Sequence, residues 1–330
     1  MKIYAIAKVT FLQIIRQPIY GVLLLIALGL MTIAPSITGF TMDDDTKMLQ
    51  DLCLSTILLT GLLMSAFGAS GAISSEIEDQ TILTIVSKPI NRLAFIAGKF
   101  IGVMSALLLA NIFMLLVFLL VLRHGVLSAA YMERDIPVIV FGLSAAGITL
   151  LVAGLLNYLF DWQFAPTAMG IGLPLMIFAV IIAGFFNKQW EFQTFGKGYS
   201  ADVIKACILL TLAVWILAGI CLVCSTRLNV VWTLVICFVI LCFGMVWDYY
   251  VWPHVENSSN IFGKISWGTL YAIVPNFQSF WMLDALDMEK AIPWRYVLHA
   301  SGYALSYILA TMLLAYTLFL ERQVGTANKI

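Results

Sequence analysis

Long apolar stretches constrain this 330-residue chain more than any other feature. Hydrophobic residues make up 62% of it and charged residues 11%, a composition that excludes an ordinary water-soluble domain. About 20 apolar residues in a helix cross the hydrocarbon core of a bilayer. Eight stretches have this length, at about 19–38, 52–73, 98–122, 137–159, 167–186, 206–225, 229–248 and 297–319. The sequence therefore predicts an all-α integral membrane protein, because a β-barrel would show alternating segments of about ten residues.

The segment between the second and third stretches predicts a short amphipathic helix. Ser75 and Glu78 have capping-box spacing, so we expect a helix to begin at about Glu76. Pro89 cannot continue that helix, and it disfavours helical geometry at the residue before it. One side of this helix is apolar and consists of Ile77, Ile82, Ile85 and Val86. Another side is polar and consists of Glu78, Asp79 and Thr81. This shape suits docking against another protein, and it equally suits a loop that only covers its own backbone.

The same segment carries a distinctive residue order. An acidic pair, a threonine, an aliphatic residue, a proline, an arginine and a Gly-Lys pair follow one another as Glu76, Glu78, Thr81, Leu83, Pro89, Arg92, Gly98 and Lys99. This order resembles the first cytoplasmic loop of ABC-2 type transporter permeases. Gln80 departs from the pattern, since the family commonly has glycine before the threonine. The resemblance is strong over about 30 residues, and elsewhere it rests on the pattern of spans.

The resemblance implies a fold and a set of partners. The fold would be a six-span core plus an extra hairpin, with a coupling helix in the loop 74–92 that sits in a groove on a separate ATPase. The implied interface residues are Glu76, Glu78, Asp79, Thr81, Ile82, Ile85, Pro89 and Arg92. Two cytoplasmic ATPase subunits and a second permease copy, identical or similar, would complete the complex. ATP and Mg²⁺ would be bound by the ATPase, because this chain has no G-x-x-x-x-G-K-[S/T] phosphate loop of its own.

The N-terminal residues 1–18 predict an amphipathic helix. Its apolar face consists of Ile3, Tyr4, Ala7, Phe11, Ile14 and Ile15. The opposite, polar face consists of Lys2, Thr10, Gln13, Arg16 and Gln17. Such a helix can lie in the headgroup plane, with Lys2, Lys8 and Arg16 facing anionic lipid. ABC-2 permeases begin with an elbow helix of this kind. An ordinary basic flank of the first span is the alternative, and in either case Pro18 ends the segment.

Eight spans place both termini on the same side of the membrane. Each side carries nine of the 18 lysine and arginine residues. Three of those on the side opposite the termini lie in the long 249–296 segment, and long loops translocate largely regardless of charge. Discounting these three favours cytoplasmic termini. The localisation expected with the family is therefore the bacterial cytoplasmic membrane.

Two further segments have functional interpretations. Residues 157–167 join the fourth and fifth spans on the cytoplasmic side, where Asp161 and Trp162 could form a second ATPase contact or simply a tight turn. Residues 248–296 are rich in aromatic residues, which favour the membrane–water interface. We expect re-entrant or interfacial helices there, and a small ectodomain with its own core is the alternative. Gly268 and Pro275 argue against one full span.

The chemistry that the sequence lacks narrows the function. No Asp, Glu, Lys or Arg lies at the centre of a span, which argues against a proton relay. The three histidines are too scattered for a metal pair, so we expect no metal, cofactor or catalytic site, and nothing indicates nucleic-acid binding. The expected function is that of an ABC-2 permease subunit for export or gating, and not of an enzyme. The alternatives are a scaffold that transmits ATPase force to a periplasmic partner, and a secondary transporter.

Overall fold

A computed structural model describes residues 2–38, 45–78, 92–126, 134–257, 261–288 and 290–327. These residues form eleven α-helices and one 3-10 helix. The α-helices are α1 Lys2–Ile15, α2 Pro18–Thr38, α3 Asp45–Glu78, α4 Arg92–His124, α5 Ile136–Phe160, α6 Phe164–Phe185, α7 Ala201–Ser225, α8 Val230–Asn257, α9 Ile261–Ile273, α10 Leu283–Asp287 and α11 Trp294–Ala327, and the 3-10 helix is Gln278–Phe280.

Eight helices are long and apolar enough to cross a membrane, namely α2 to α8 and α11. The prediction of a multi-pass integral membrane protein is confirmed at this level. The break at Pro18 is also confirmed, because α1 ends at Ile15 and α2 begins with the proline. Proline is favoured there because an N–H in the first turn of a helix has no acceptor within the helix, so its absence costs no hydrogen bond.

Three of these helices form the centre of the bundle. In α3, α4 and α7, 67% of the most apolar stretch is buried, against 17% in α5 and α11. Gly61 of α3 allows close approach to α7, since a Cβ there would lie 2.4 Å from Cγ2 of Val214. Close packing through small residues is how helices associate in a bilayer, where apolar burial provides little drive.

The central helices are longer than the predicted spans. α3 has 34 residues and α4 has 33, so each is roughly 50 Å long and exceeds a hydrocarbon core of about 30 Å. α3 continues through Ser75 to Glu78, so the predicted helix start at Glu76 is wrong. No glycine or proline interrupts the chain between Gly71 and Glu78, and an existing helix extends more easily than a new one nucleates.

Contacts between distant helix ends identify one end of the bundle. Gln13 of α1 donates from Nε2 to the carbonyl oxygen of Gly71 near the end of α3, at 3.4 Å. Arg227, in the turn between α7 and α8, donates to the carbonyl oxygen of Leu318 in α11. We call this the loop end of the bundle. It comprises α1, the helix ends that flank 79–91, and the turns 161–163 and 226–229.

Residues 275–288 and 290–293 lie at the opposite end. Lys47 of α3 pairs with Asp284 and Asp287 of α10, and Lys205 of α7 donates to the carbonyl oxygen of Ile292. We call this the cap end. It comprises the first turns of α3 and α7, the last turns of α4 and α6, and residues 134–138, 186–200, 275–288 and 290–293.

The aromatic 248–296 segment is helical in several short pieces. α8 extends past its predicted limit to Asn257. α9 ends at Ile273, before Pro275, so the expectation that residues 248–296 do not form one full span is confirmed. Phe277 and Phe280 are buried in the same hydrophobic cluster as the spans, which speaks against a separate ectodomain core among the described residues. Its placement relative to a membrane stays a prediction.

Candidate functional site

α1 is seated on α4 through two glycines one turn apart. A Cβ on Gly98 would lie 2.8 Å from Cβ of Ile6, and a Cβ on Gly102 would lie 2.6 Å from Cβ of Thr10 and 2.8 Å from the carbonyl oxygen of Ala7. Any side chain larger than hydrogen would push the helices apart. The Gly-x-x-x-Gly spacing therefore creates a groove into which α1 fits.

Thr10 corrects one detail of the N-terminal prediction. We expected it on the polar face of α1, yet it is 0% exposed and faces the groove of α4. A small β-branched side chain fits against Gly102 where a larger polar residue would not. Lys8 and Arg16 are exposed, whereas the described part of Lys2 is its backbone. Contact of these basic residues with lipid stays a prediction.

The junction between α1 and α2 is fixed by a buried hydrogen bond. The Tyr20 hydroxyl donates to the carbonyl oxygen of Ala106 at 2.6 Å. Lys99, beside the glycine groove, is 2% exposed and holds Nζ 5.6 Å from the centroid of the Phe95 ring. The first turns of α4 are thus packed tightly.

The predicted coupling residues lie at the edge of the described chain. Glu76 and Glu78 belong to the last turn of α3, and Arg92 is the first residue of α4. The remaining predicted contacts lie outside the described residues, namely Asp79, Thr81, Ile82, Ile85 and Pro89. The predicted loop 74–92 is therefore helical at both of its borders.

The second predicted contact is an exposed turn at the same end. Asp161 ends α5 in the left-handed conformation, with φ of 54°, and Trp162 is 55% exposed. Asn157 donates to the carbonyl oxygen of Trp162 and so fixes the turn. A Cβ on Gly21 of α2 would lie 3.1 Å from Cβ of Ala165. The turn is thereby next to the α1–α2 junction, so three predicted cytoplasmic features converge at the loop end.

Sequence reasoning missed a buried ion pair at the cap end. Arg123 and Asp135 are 3.1 Å apart, with side chains only 5% and 2% exposed. Arg123 also donates to the carbonyl oxygens of Ala183 and Phe186, and Asp135 caps α5 by accepting from the N–H of Val138. The pair ties together the ends of α4, α5 and α6. Its only sequence signal was a charge at each of two span ends, which is also ordinary for flanking residues.

Tyr199 completes this arrangement. The Arg123 guanidinium lies 5.5 Å from the centroid of the Tyr199 ring, and the tyrosine hydroxyl donates to the carbonyl oxygen of Val180 at 2.9 Å. Burial raises the pKa of the Tyr199 hydroxyl above its ordinary value, and the nearby Arg123 opposes that shift. The hydroxyl is therefore neutral at physiological pH and remains a donor.

The described residues contain no group of three or more His, Cys, Asp or Glu side chains that could hold a metal ion. No protein-family model matches the chain, and no curated protein matches it. The ABC-2 resemblance therefore depends on the residue order at 74–99 and on the pattern of spans. What the geometry adds is the convergence of α1, the base of the 79–91 segment and the 161–163 turn.

Proposed function

We propose that this chain is the membrane-spanning permease subunit of an ABC-2 type ATP-driven transporter. It would act with a second permease copy and two cytoplasmic ATPase subunits, in a bacterial cytoplasmic membrane with both termini in the cytoplasm. The observation that carries the proposal is the residue order at 74–99, which runs from the last turn of α3 into the first turns of α4. The phosphate-loop motif is absent from the sequence, which agrees with ATP hydrolysis by a separate subunit.

The position of the segment supports a coupling role. α3 and α4 flank 79–91 and continue as single helices to Lys47 and Arg123 at the cap end. Movement imposed by an ATPase at the loop end would thus reach the opposite end through two rigid rods. The permease has no nucleotide-binding motif of its own, so it would depend on the ATPase for energy. The free-energy difference between the nucleotide states of the bound ATPase would drive the change of permease conformation.

The seat of α1 supports the same role. α1 packs on the first turns of α4 through Gly98 and Gly102, and it contacts the last turns of α3 through Gly71. These contacts hold both borders of the coupling segment in one unit. Glu78 and Asp79 would supply the charged docking contacts, and Ile82 and Ile85 the apolar ones.

The test reverses the predicted docking charge. The Glu78→Lys, Asp79→Lys double variant should reduce recovery of a stoichiometric ATPase with the permease by about tenfold or more, since like charges would then oppose each other in a docked surface. A matched control, Asp51→Lys with Glu191→Lys, reverses two exposed carboxylates at the cap end and should leave ATPase recovery unchanged.

Two outcomes would contradict the proposal. Purification of the wild-type chain from its native membrane without any nucleotide-binding partner would favour an ion-driven transporter or a structural protein. Equal ATPase recovery from the docking variant and the control would remove 74–92 as the docking surface.

A further inference from the structure

A short hairpin rich in aromatic residues joins α6 to α7 at the cap end. Phe186 and Phe192 form an antiparallel bridge, and the N–H of Asn187 donates to the carbonyl oxygen of Glu191 at 2.9 Å. We call residues 185–195 the aromatic hairpin. Five of its eleven residues have aromatic rings, namely Phe185, Phe186, Trp190, Phe192 and Phe195.

Side-chain hydrogen bonds fix the shape of the aromatic hairpin. Oδ1 of Asn187 accepts from the N–H of Gln189 at 3.0 Å and from the N–H of Glu191 at 2.9 Å. Nε2 of Gln193 donates to the carbonyl oxygen of Phe186 at 2.9 Å. The positions of the aromatic side chains are therefore set by a defined backbone.

This defined backbone presents large apolar side chains at the surface. Phe192 is 83% exposed, Phe195 57% and Trp190 43%. Clustered apolar exposure of this kind marks contact with a membrane or with another molecule.

Trp190 has a backbone conformation that is unfavourable for a bulky residue. Its φ of 63° lies in the left-handed region, which glycine adopts without steric cost. The conformation places the indole ring 5.8 Å from the ring centroid of Phe141 in α5 and 5.7 Å from that of Phe186. Strained backbone persists where the surrounding structure holds it, and it points to a role for the side chain that it positions.

The aromatic hairpin folds back along the ends of two spans. Phe141 is about 8 Å along α5 from its first residue, inside the span Ile136–Phe160. Phe195 packs on the last turn of α6, with its ring centroid 5.2 Å from that of Phe185 and a ring atom 2.9 Å from a Cβ placed on Gly184. Only 17% of the most apolar stretch of α5 is buried, so this flank of the bundle faces acyl chains in a membrane.

We propose that the aromatic hairpin binds the lipid leaflet at the cap end, with the rings of Trp190 and Phe192 at the boundary between headgroups and acyl chains. Aromatic side chains favour that boundary. Lys188 and Lys197 are exposed on either side of these rings, and lysine stems lie along apolar surface while their ammonium groups reach the phosphates. The proposal requires only that the chain spans a membrane, so it is independent of the proposed transport function.

The test measures the depth of a nitroxide spin label at position 192 of the full chain in phospholipid vesicles. Collisions with oxygen report contact with acyl chains, and collisions with a water-soluble nickel chelate report contact with water. The label is attached to Phe192→Cys in a Cys242→Ser background, which removes the exposed native cysteine. The same background without a new cysteine measures any labelling of the remaining native cysteines.

The matched control is Lys188→Cys, an exposed position of the same hairpin that lies near His124 at the end of α4. The ratio of oxygen to nickel collisions should be about fivefold higher at position 192 than at position 188. Equal ratios would place position 192 in water and overturn the proposal. Few collisions with either reagent at position 192 would also overturn it, because a partner protein or a second copy would then cover the ring.

A further variant tests the role of the Trp190 ring. Trp190→Gly keeps the left-handed backbone without strain and removes the contact with α5, so the collision ratio at position 192 should fall by about half or more. The control Trp162→Gly removes an exposed indole at the loop end and should leave the ratio unchanged. An unchanged ratio in Trp190→Gly would remove Trp190 from the lipid contact.

Discussion

The two ends of the bundle are held together by different kinds of contact. At the cap end, side-chain charges join the helices, most tightly where Arg123 and Asp135 are buried together. At the loop end, α1 and α4 meet backbone to backbone at Gly98 and Gly102. The cap end thus depends on a few strong polar groups and the loop end on shape.

This difference fits two different tasks. A buried ion pair fixes its helices in one arrangement, because separating the charges would leave each one without compensation. A groove of small residues holds a helix closely with few directional bonds, and it can therefore carry the helix as part of a moving unit. Under the proposed function, the loop end would receive movement from the ATPase and the cap end would hold its helices in one arrangement.

The largest expected effect is at the cap end. Arg123→Met leaves Asp135 buried without its partner and should destabilise the protein by about 3–5 kcal/mol, read as a large fall in melting temperature. Adding Asp135→Asn, which keeps an acceptor at the start of α5, should recover part of the loss. Asp284→Asn breaks an exposed pair instead and should cost about 1 kcal/mol or less. If Arg123→Met and Asp284→Asn had equal effects, the buried pair would not be what holds this end.

An intermediate effect is expected in the glycine groove. Gly102→Ala places a Cβ against Thr10 and the carbonyl oxygen of Ala7, so α1 must shift and stability should fall by about 1–3 kcal/mol. Hydrogen exchange of α1 should rise with it. In the control Gly147→Ala, the described surroundings hold no atom within 4 Å of the new Cβ, so stability should stay the same or rise. An unshifted α1 in Gly102→Ala would contradict the shape-dependent seat.

The smallest effect is expected at Thr10. Its hydroxyl is buried and has no hydrogen-bond partner among the described residues, so Thr10→Val keeps the shape and removes an unsatisfied group. The melting temperature should stay within the equivalent of about 1 kcal/mol of wild type, with any change upward. A clear fall would mean that the polar group at Thr10, and not its shape, holds α1.

The sequence predicts the spans well and their ends less well. Eight helices follow from apolar length, because the hydrophobic effect demands it for any chain that crosses a bilayer. The continuation of α3 through Ser75 to Glu78 could not be predicted from the sequence. Ser75 and Glu78 have capping-box spacing, but in the structure the preceding helix continues through them. The breaks at Pro18 and Pro275 could be predicted because proline restricts the local backbone whatever packs around it.

The contacts at the two ends of the bundle were harder to predict than the spans. The sequence analysis did not identify the Gly98-x-x-x-Gly102 contact, and its partner Thr10 could be identified only once α1 was placed against it. The pairing of Arg123 with Asp135 joins the ends of two spans, and Lys47 of α3 pairs with Asp284 and Asp287 of α10. Such contacts depend on how helices pack, which a single sequence does not state.

The most direct test of the central proposal is photo-cross-linking in native membranes. A photoreactive phenylalanine placed at Ile82 should form an adduct with a nucleotide-binding protein. The same residue placed at Trp190, which is exposed at the cap end, should form none with that protein. Adducts from position 82 alone would establish the 79–91 segment as the ATPase docking surface. Absence of such an adduct from position 82, or equal adducts from both positions, would contradict it.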